Sequence, residues 1–177
     1  MRRLLPVALA AAFAAAHTQS PPFYSNQNQY LLHGLAAAGY GNLSADWLSA
    51  TADPTPVFTA GVAAGYRVAG LAAVQVAFFA LLMAYFAAGW WLVRSVCPLS
   101  PVPRLLAWAA LVTAAHAAAP RVASVALAGV DYPWNFQAGV AGQYLLGPGL
   151  QPSAFGVFLL ASVAAFAAGR PVLAGAL

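Results

Sequence analysis

Apolar residues fill this chain in four blocks, separated by one short proline-rich turn and two polar segments. The first block, Leu4 to Ala16, is thirteen apolar residues behind Arg2 and Arg3. The second runs without charge from Val68 to Val93, with Trp90 and Trp91 at its end. The third, Leu105 to Gly129, contains Pro120, and the fourth runs from about Ser153 to Gly169 and stops at Arg170. A spanning helix needs about 20 predominantly apolar residues, and proline is tolerated where neighbouring helices satisfy the backbone groups it frees. The pattern predicts four membrane helices, over 4–20, 56–94, 104–129 and 152–169. The first block, short for a span, fits a secretory signal equally well, since Ala14 and Ala16 frame an A-x-A cleavage site. Either reading leaves residue 20 onward outside the cytoplasm.

The polar segments, 21–55 and 130–151, carry their own periodicity. Asn26, Tyr30 and His33 recur at spacings of four and three, beside an apolar stripe of Leu31, Leu35 and Ala38. That is the period of a helix lying on a surface. Gly39 and Gly41 then break it. Ser44 is placed to cap a second short helix with Asp46 in its first turn, and Asp53-Pro54 reads as the start of the next long one. Short interfacial helices are expected over 27–38, 44–52 and 136–146. No β-sheet is expected, because an open sheet edge has no partner in lipid.

Composition supports the same class. The chain is 63% hydrophobic and only 6% charged, against about 25% charged in a soluble domain. It could not cover a water-facing surface. The fold class expected is all-α integral membrane, in one membrane domain over 1–177. Seven Arg, no Lys and three Asp make up the charge. Arg2, Arg3, Arg94, Arg104 and Arg170 fall on one side of the predicted spans, and all three acids fall on the other. Basic residues mark the cytoplasmic side, so both polar segments are external and 94–104 is a cytoplasmic loop. The Arg residues are scattered, which argues against nucleic acid as a partner. A single Cys97 excludes an intrachain disulfide.

Chemistry is sparser. No phosphate-cradling or dinucleotide glycine motif occurs, nor a nucleophile elbow, and no cofactor is indicated. His17, His33 and His116 are too scattered in sequence for a metal motif. His116 falls within a span, as a functional group or as a neutral imidazole bonded to a neighbouring helix. What remains is convergence of two external segments rich in amides, aromatics and acid. Asp46, Asp53 and His33 are the candidate catalytic residues. Asn26, Asn28, Tyr30, Asp131, Trp134, Gln137 and Gln143 are candidate substrate contacts, since amides and aromatic rings suit sugars and polar headgroups. Helix capping is the competing account of Asp46 and Asp53, and surface hydrogen bonding that of His33.

The strings "NQNQYLLHGLAAAGYGNLSADWLSATADPTPVF" and "FQAGVAGQYLLGPGLQPSAFGVFLLASVAAFAAGRPVL" resemble a family of uncharacterised bacterial multi-pass membrane proteins. In that family an N-Q-N-x-Y…H-G-L…D-W-L…T-x-D-P-x-P-V-F loop follows the first span. The resemblance covers nearly the whole chain and implies a retained first helix and a bacterial inner-membrane location. The family is distantly similar to the C-type glycosyltransferases, multi-pass enzymes that use lipid-phosphate sugars. That similarity implies membrane lipid and a lipid-linked sugar as partners. Those enzymes place an acid early in the first external loop, where this chain has the amides Asn26 to Asn28; Asp46 and Asp53 come later. Family members are longer, so the resemblance implies that 1–177 is an N-terminal portion. Two functions stay open: a glycosyltransferase-like protein acting on a lipid-linked or surface glycan, and a non-catalytic transport or assembly component.

Overall fold

The computed structural model describes residues 4–17, 21–23, 26–98, 100–130, 146–147 and 149–177. Its regular structure is helical: α1 (Leu5–Ala16), α2 (Gln27–Ala37), α3 (Pro56–Ala69), α4 (Ala72–Val96), α5 (Pro101–His116), α6 (Ala118–Ala128), α7 (Gly156–Ala167) and α8 (Pro171–Ala176). Short 3-10 turns cover Leu43–Ala45, Trp47–Ala50 and Pro152–Phe155. Among the described residues there is no strand, only an isolated antiparallel bridge between His17 and Ala117.

The helices are more divided than the hydrophobic blocks predict. The expected helix over 56–94 is two, because Gly70 takes φ 61° and ψ −151°. That conformation is essentially reserved for glycine and ends α3 before α4 begins. The expected helix over 104–129 breaks at Ala117, which is extended at ψ 150°, rather than kinking at Pro120. Pro120 has no N–H for the carbonyl of His116, four residues back, and its ring would press on that carbonyl. Breaking upstream places the proline in the first turn of α6, where no such bond is needed. The first block is helical over twelve residues, Leu5–Ala16, and the last over Gly156–Ala167 after a 3-10 turn.

The interfacial elements differ likewise. The helix expected over 27–38 is α2, whereas 44–52 forms two 3-10 turns, and the helix expected over 136–146 lies, except for its last residue, outside the described residues. Ser44 does not cap: the first turn has Asn42 at its N-cap and no side-chain bond there. Asp46 caps the second. Nor is Pro54 the first helical residue. Pro56 takes that place, with Thr55 as N-cap.

α4 has 25 residues, about 37 Å at 1.5 Å per residue, enough for a hydrocarbon core of about 30 Å. Only 28% of its most apolar stretch is buried within the chain. The central helix of a soluble protein would be mostly covered; this one turns an apolar surface outward. Among the described residues it is the one helix long and apolar enough to cross a membrane, by length and composition.

The chain forms two compact units: 1–18 with 79–146 and 153–177, and 19–78 with 147–152. In the second, α2 lies against α3. Leu31, Leu32 and Leu35 are buried there with Phe58, Val62 and Ala63. Gly34 makes the approach close enough. A methyl group added there would stand 2.7 Å from Val62 Cβ and 2.9 Å from the Thr59 carbonyl oxygen. Arg67 Nη2 donates to the Ala37 carbonyl at 2.6 Å, placing a cation at the negative end of α2.

In the first unit Phe13 of α1 is 1% exposed. Its ring meets Tyr85, Phe86 and His116 at centroid distances of 6.1, 5.8 and 5.6 Å. Gly89 gives Trp108 room against α4, and the indole N–H donates to the Phe86 carbonyl at 3.2 Å.

Candidate functional site

The second unit holds an open pocket of about 390 Å³, lined by Phe23, Asn28, Gln29, Leu32, Leu35, Tyr40, Leu43, Asp46 and Leu48. α2 supplies one wall. Asn28, Leu32 and Leu35 lie at i, i+4 and i+7, so one helix face offers an amide and then two leucines. The 3-10 turns supply the facing wall. Asp46 is exposed and oriented by its own cap: Oδ1 accepts the Leu48 N–H at 2.8 Å.

Phe23 is held in place by several contacts. Its φ is 68°, the only positive value at a non-glycine residue among those described. Its N–H donates to Gln27 Oε1 at 2.7 Å, and its ring stacks on Tyr40 at 6.2 Å. Tyr40 in turn meets Tyr66 edge-on at 5.4 Å. Backbone strain of this kind costs about 1–3 kcal/mol and gathers at binding sites. Gln27 also donates through Nε2 to the Leu150 carbonyl at 3.2 Å, tying the start of α2 to the end of the other polar segment.

Of the residues selected from sequence, Asn28 and Asp46 line this pocket. Asn26 sits at the N-cap of α2 without a side-chain cap bond, and Tyr30 and His33 are half-buried outside the lining. Asp53 is not in the lining either. Its Oδ1 accepts the Thr55 N–H at 2.8 Å, just ahead of α3. Partial loss of solvation acts to raise the pKa of this carboxyl. The Thr55 N–H, the Thr59 hydroxyl and the positive charge of His33 outweigh it and hold the group below its ordinary 3.8. Asp131, Trp134, Gln137 and Gln143 lie outside the described residues.

Sequence reasoning missed Phe23, Gln29, Tyr40 and the leucines. The signal was present in the 28, 29, 32, 35 spacing, but leucines on a helix face read as packing, and the 26, 30, 33 spacing gives the more continuous polar face.

A second cluster lies in the first unit. His17 and His116, 99 positions apart in sequence, have ring centroids 5.5 Å apart and are 5% and 6% exposed. Tyr85 Oη is 3.4 Å from His116 Nε2, so the imidazole in the third block does meet a neighbouring helix. The bridge between His17 and Ala117 explains the proximity, which no sequence spacing announces. Among the described residues no group of three or more His, Cys, Asp or Glu is placed to hold a metal ion.

Compared with known proteins, the chain matches no family model, no curated protein and no solved structure.

Proposed function

We propose that this chain belongs to a multi-pass, glycosyltransferase-like protein of the bacterial inner membrane, and that its external segment binds the polar end of a lipid-linked glycan. The observation that carries the reading is the pocket's make-up. An aromatic pair, two amides and one carboxylate stand against four leucines. Sugar rings present hydroxyls for amides and carboxylates, and apolar faces for aromatic rings; the leucines suit the first carbons of a lipid. Asp46 is the acid for this role and the residue to act as general base. Asp53 is spent at the start of α3, and His33 supports it there. The packing of Phe13 against Tyr85 and Phe86 favours a first helix that is retained, since a cleaved signal would leave that space empty.

The test uses the full-length protein and a polyprenyl-phosphate hexose in detergent. Asp46→Asn and Asn28→Ala should each weaken binding about tenfold, about 1.4 kcal/mol, the scale of a lost hydrogen bond. Asp53→Asn should leave affinity unchanged. Binding intact in both pocket variants would refute the assignment. If the wild-type protein binds the lipid-linked hexose but transfers no sugar to any acceptor, the protein is a transport or assembly component.

A further inference from the structure

The cytoplasmic end of α4, in the orientation read from the Arg distribution, gathers cations for which the glycan pocket has no use. Trp90 and Trp91 are successive, so their indoles project about 100° apart around the helix. Arg104, in the first turn of α5, places its guanidinium carbon 5.6 Å from the centre of the Trp90 ring. Arg170, at the N-cap of α8, lies 5.9 Å from the centre of Trp91. Arg94 follows in the last turn of α4 and is exposed. Three guanidinium groups thus surround one helix end. The chain has three acids; two of them, Asp46 and Asp53, belong to the other unit and accept N–H groups there.

The three cations do not share one task. Arg104 Nη1 donates to the carbonyls of Arg94 and Cys97, closing the C-terminal turn of α4. Arg94 and Arg170 are exposed. Around them Val96, Val102, Leu106 and Val172 are exposed as well, at 66%, 48%, 48% and 87%. Exposed cations, an indole pair and uncovered aliphatic side chains at one end of a membrane-length helix match the layers of a lipid. The headgroup phosphate meets Arg, the glycerol region meets Trp one turn further in, and the acyl chains meet Leu106 and the apolar surface of α4 beyond the indoles.

We propose that Arg94 and Arg170 bind the phosphate of an anionic phospholipid, with Trp91 as the interfacial platform and Arg104 holding the helix end in shape. The occupant is a lipid and not free phosphate, because the apolar surface beside the cations needs covering too. The assignment rests on α4 as a membrane helix and stands apart from the glycan pocket.

The full chain, purified in detergent, is titrated with phosphatidylglycerol or phosphatidylcholine carrying brominated acyl chains, and tryptophan quenching is followed. Phosphatidylglycerol should quench at lower concentration, and each of Arg94→Gln and Arg170→Gln should weaken it about fivefold. Arg170→Lys should retain most of the effect. Rising salt should diminish the preference. Equal quenching by the two lipids in the wild-type protein overturns the proposal, whether or not the variants accumulate. Competition by millimolar inorganic phosphate as effective as that by phosphatidylglycerol overturns the lipid assignment.

Discussion

At the scale of single residues, two glycines of neighbouring helices carry opposite weights. Gly34 has Val62 and the Thr59 carbonyl where a methyl group would go, whereas Gly61 has nothing within 4 Å. Gly34→Ala should therefore cost about 1–3 kcal/mol through overpacking, and Gly61→Ala should gain about 0.5–1 kcal/mol through helix propensity. Thermal unfolding of both variants checks the contrast, and a destabilised Gly61→Ala with an unaffected Gly34→Ala would contradict the α2–α3 packing. Asp53 adds a pH dependence. Its pKa is held below 3.8 in the folded chain, so its stabilisation is present above that value and is lost as pH falls through the lowered one. The unfolding midpoint of Asp53→Asn should thus fall less than that of the wild type between about pH 5 and about pH 3. The two acids were visible from sequence, and capping was the competing account of both; Asp46 does cap a turn, whereas Asp53 bonds the N–H of Thr55, which is itself the N-cap of α3. Which of them borders a pocket was not visible, because the 3-10 turns that aim Asp46 depend on packing against α2.

At the scale of elements, the hydrophobic blocks announce helices but conceal their breaks. Gly70 lies inside an apolar run that continues on both sides, and an isolated glycine in such a run is tolerated in most helices. Only its positive φ makes it a boundary. Gly70→Ala should cost about 1–3 kcal/mol, because alanine must either strain at that φ or extend α3 into α4. Thermal unfolding of the variant against wild type gives the number, and an unchanged midpoint would indicate that the two helices are continuous. The break between α5 and α6 was half legible. Pro120 marked the neighbourhood, but placing the break at Ala117 requires knowing that His17 bridges to it. The same tertiary contact unites two histidines that sequence spacing kept apart. Helix existence is local information here. Helix limits and the histidine pair are not.

At the scale of the whole chain, the question is which side of a bilayer each segment faces. α4 has the length and composition to cross alone. α1, at twelve residues, reaches only about 18 Å and does not cross a core of about 30 Å unless residues on either side extend it. α5 and α6 hold 16 and 11 residues, together about 40 Å if set end to end, so that block crosses only as a two-part segment. The multi-pass reading therefore rests on α4 and on the charge distribution, and one native residue tests it. Cys97 is a free, half-exposed thiol immediately after α4, between Arg94 and Arg104, whose positive charge predicts a cytoplasmic side for this segment. A membrane-impermeant maleimide should leave it unmodified in intact cells and label it once the cells are opened, with a cysteine introduced at exposed Ser44 in a Cys97→Ala background behaving in the opposite way. The pair matters because each result controls the other. Labelling of both positions from the same side would mean that α4 does not cross. Reversed labelling would place the pocket with Asp46 in the cytoplasm and remove the external glycan from consideration.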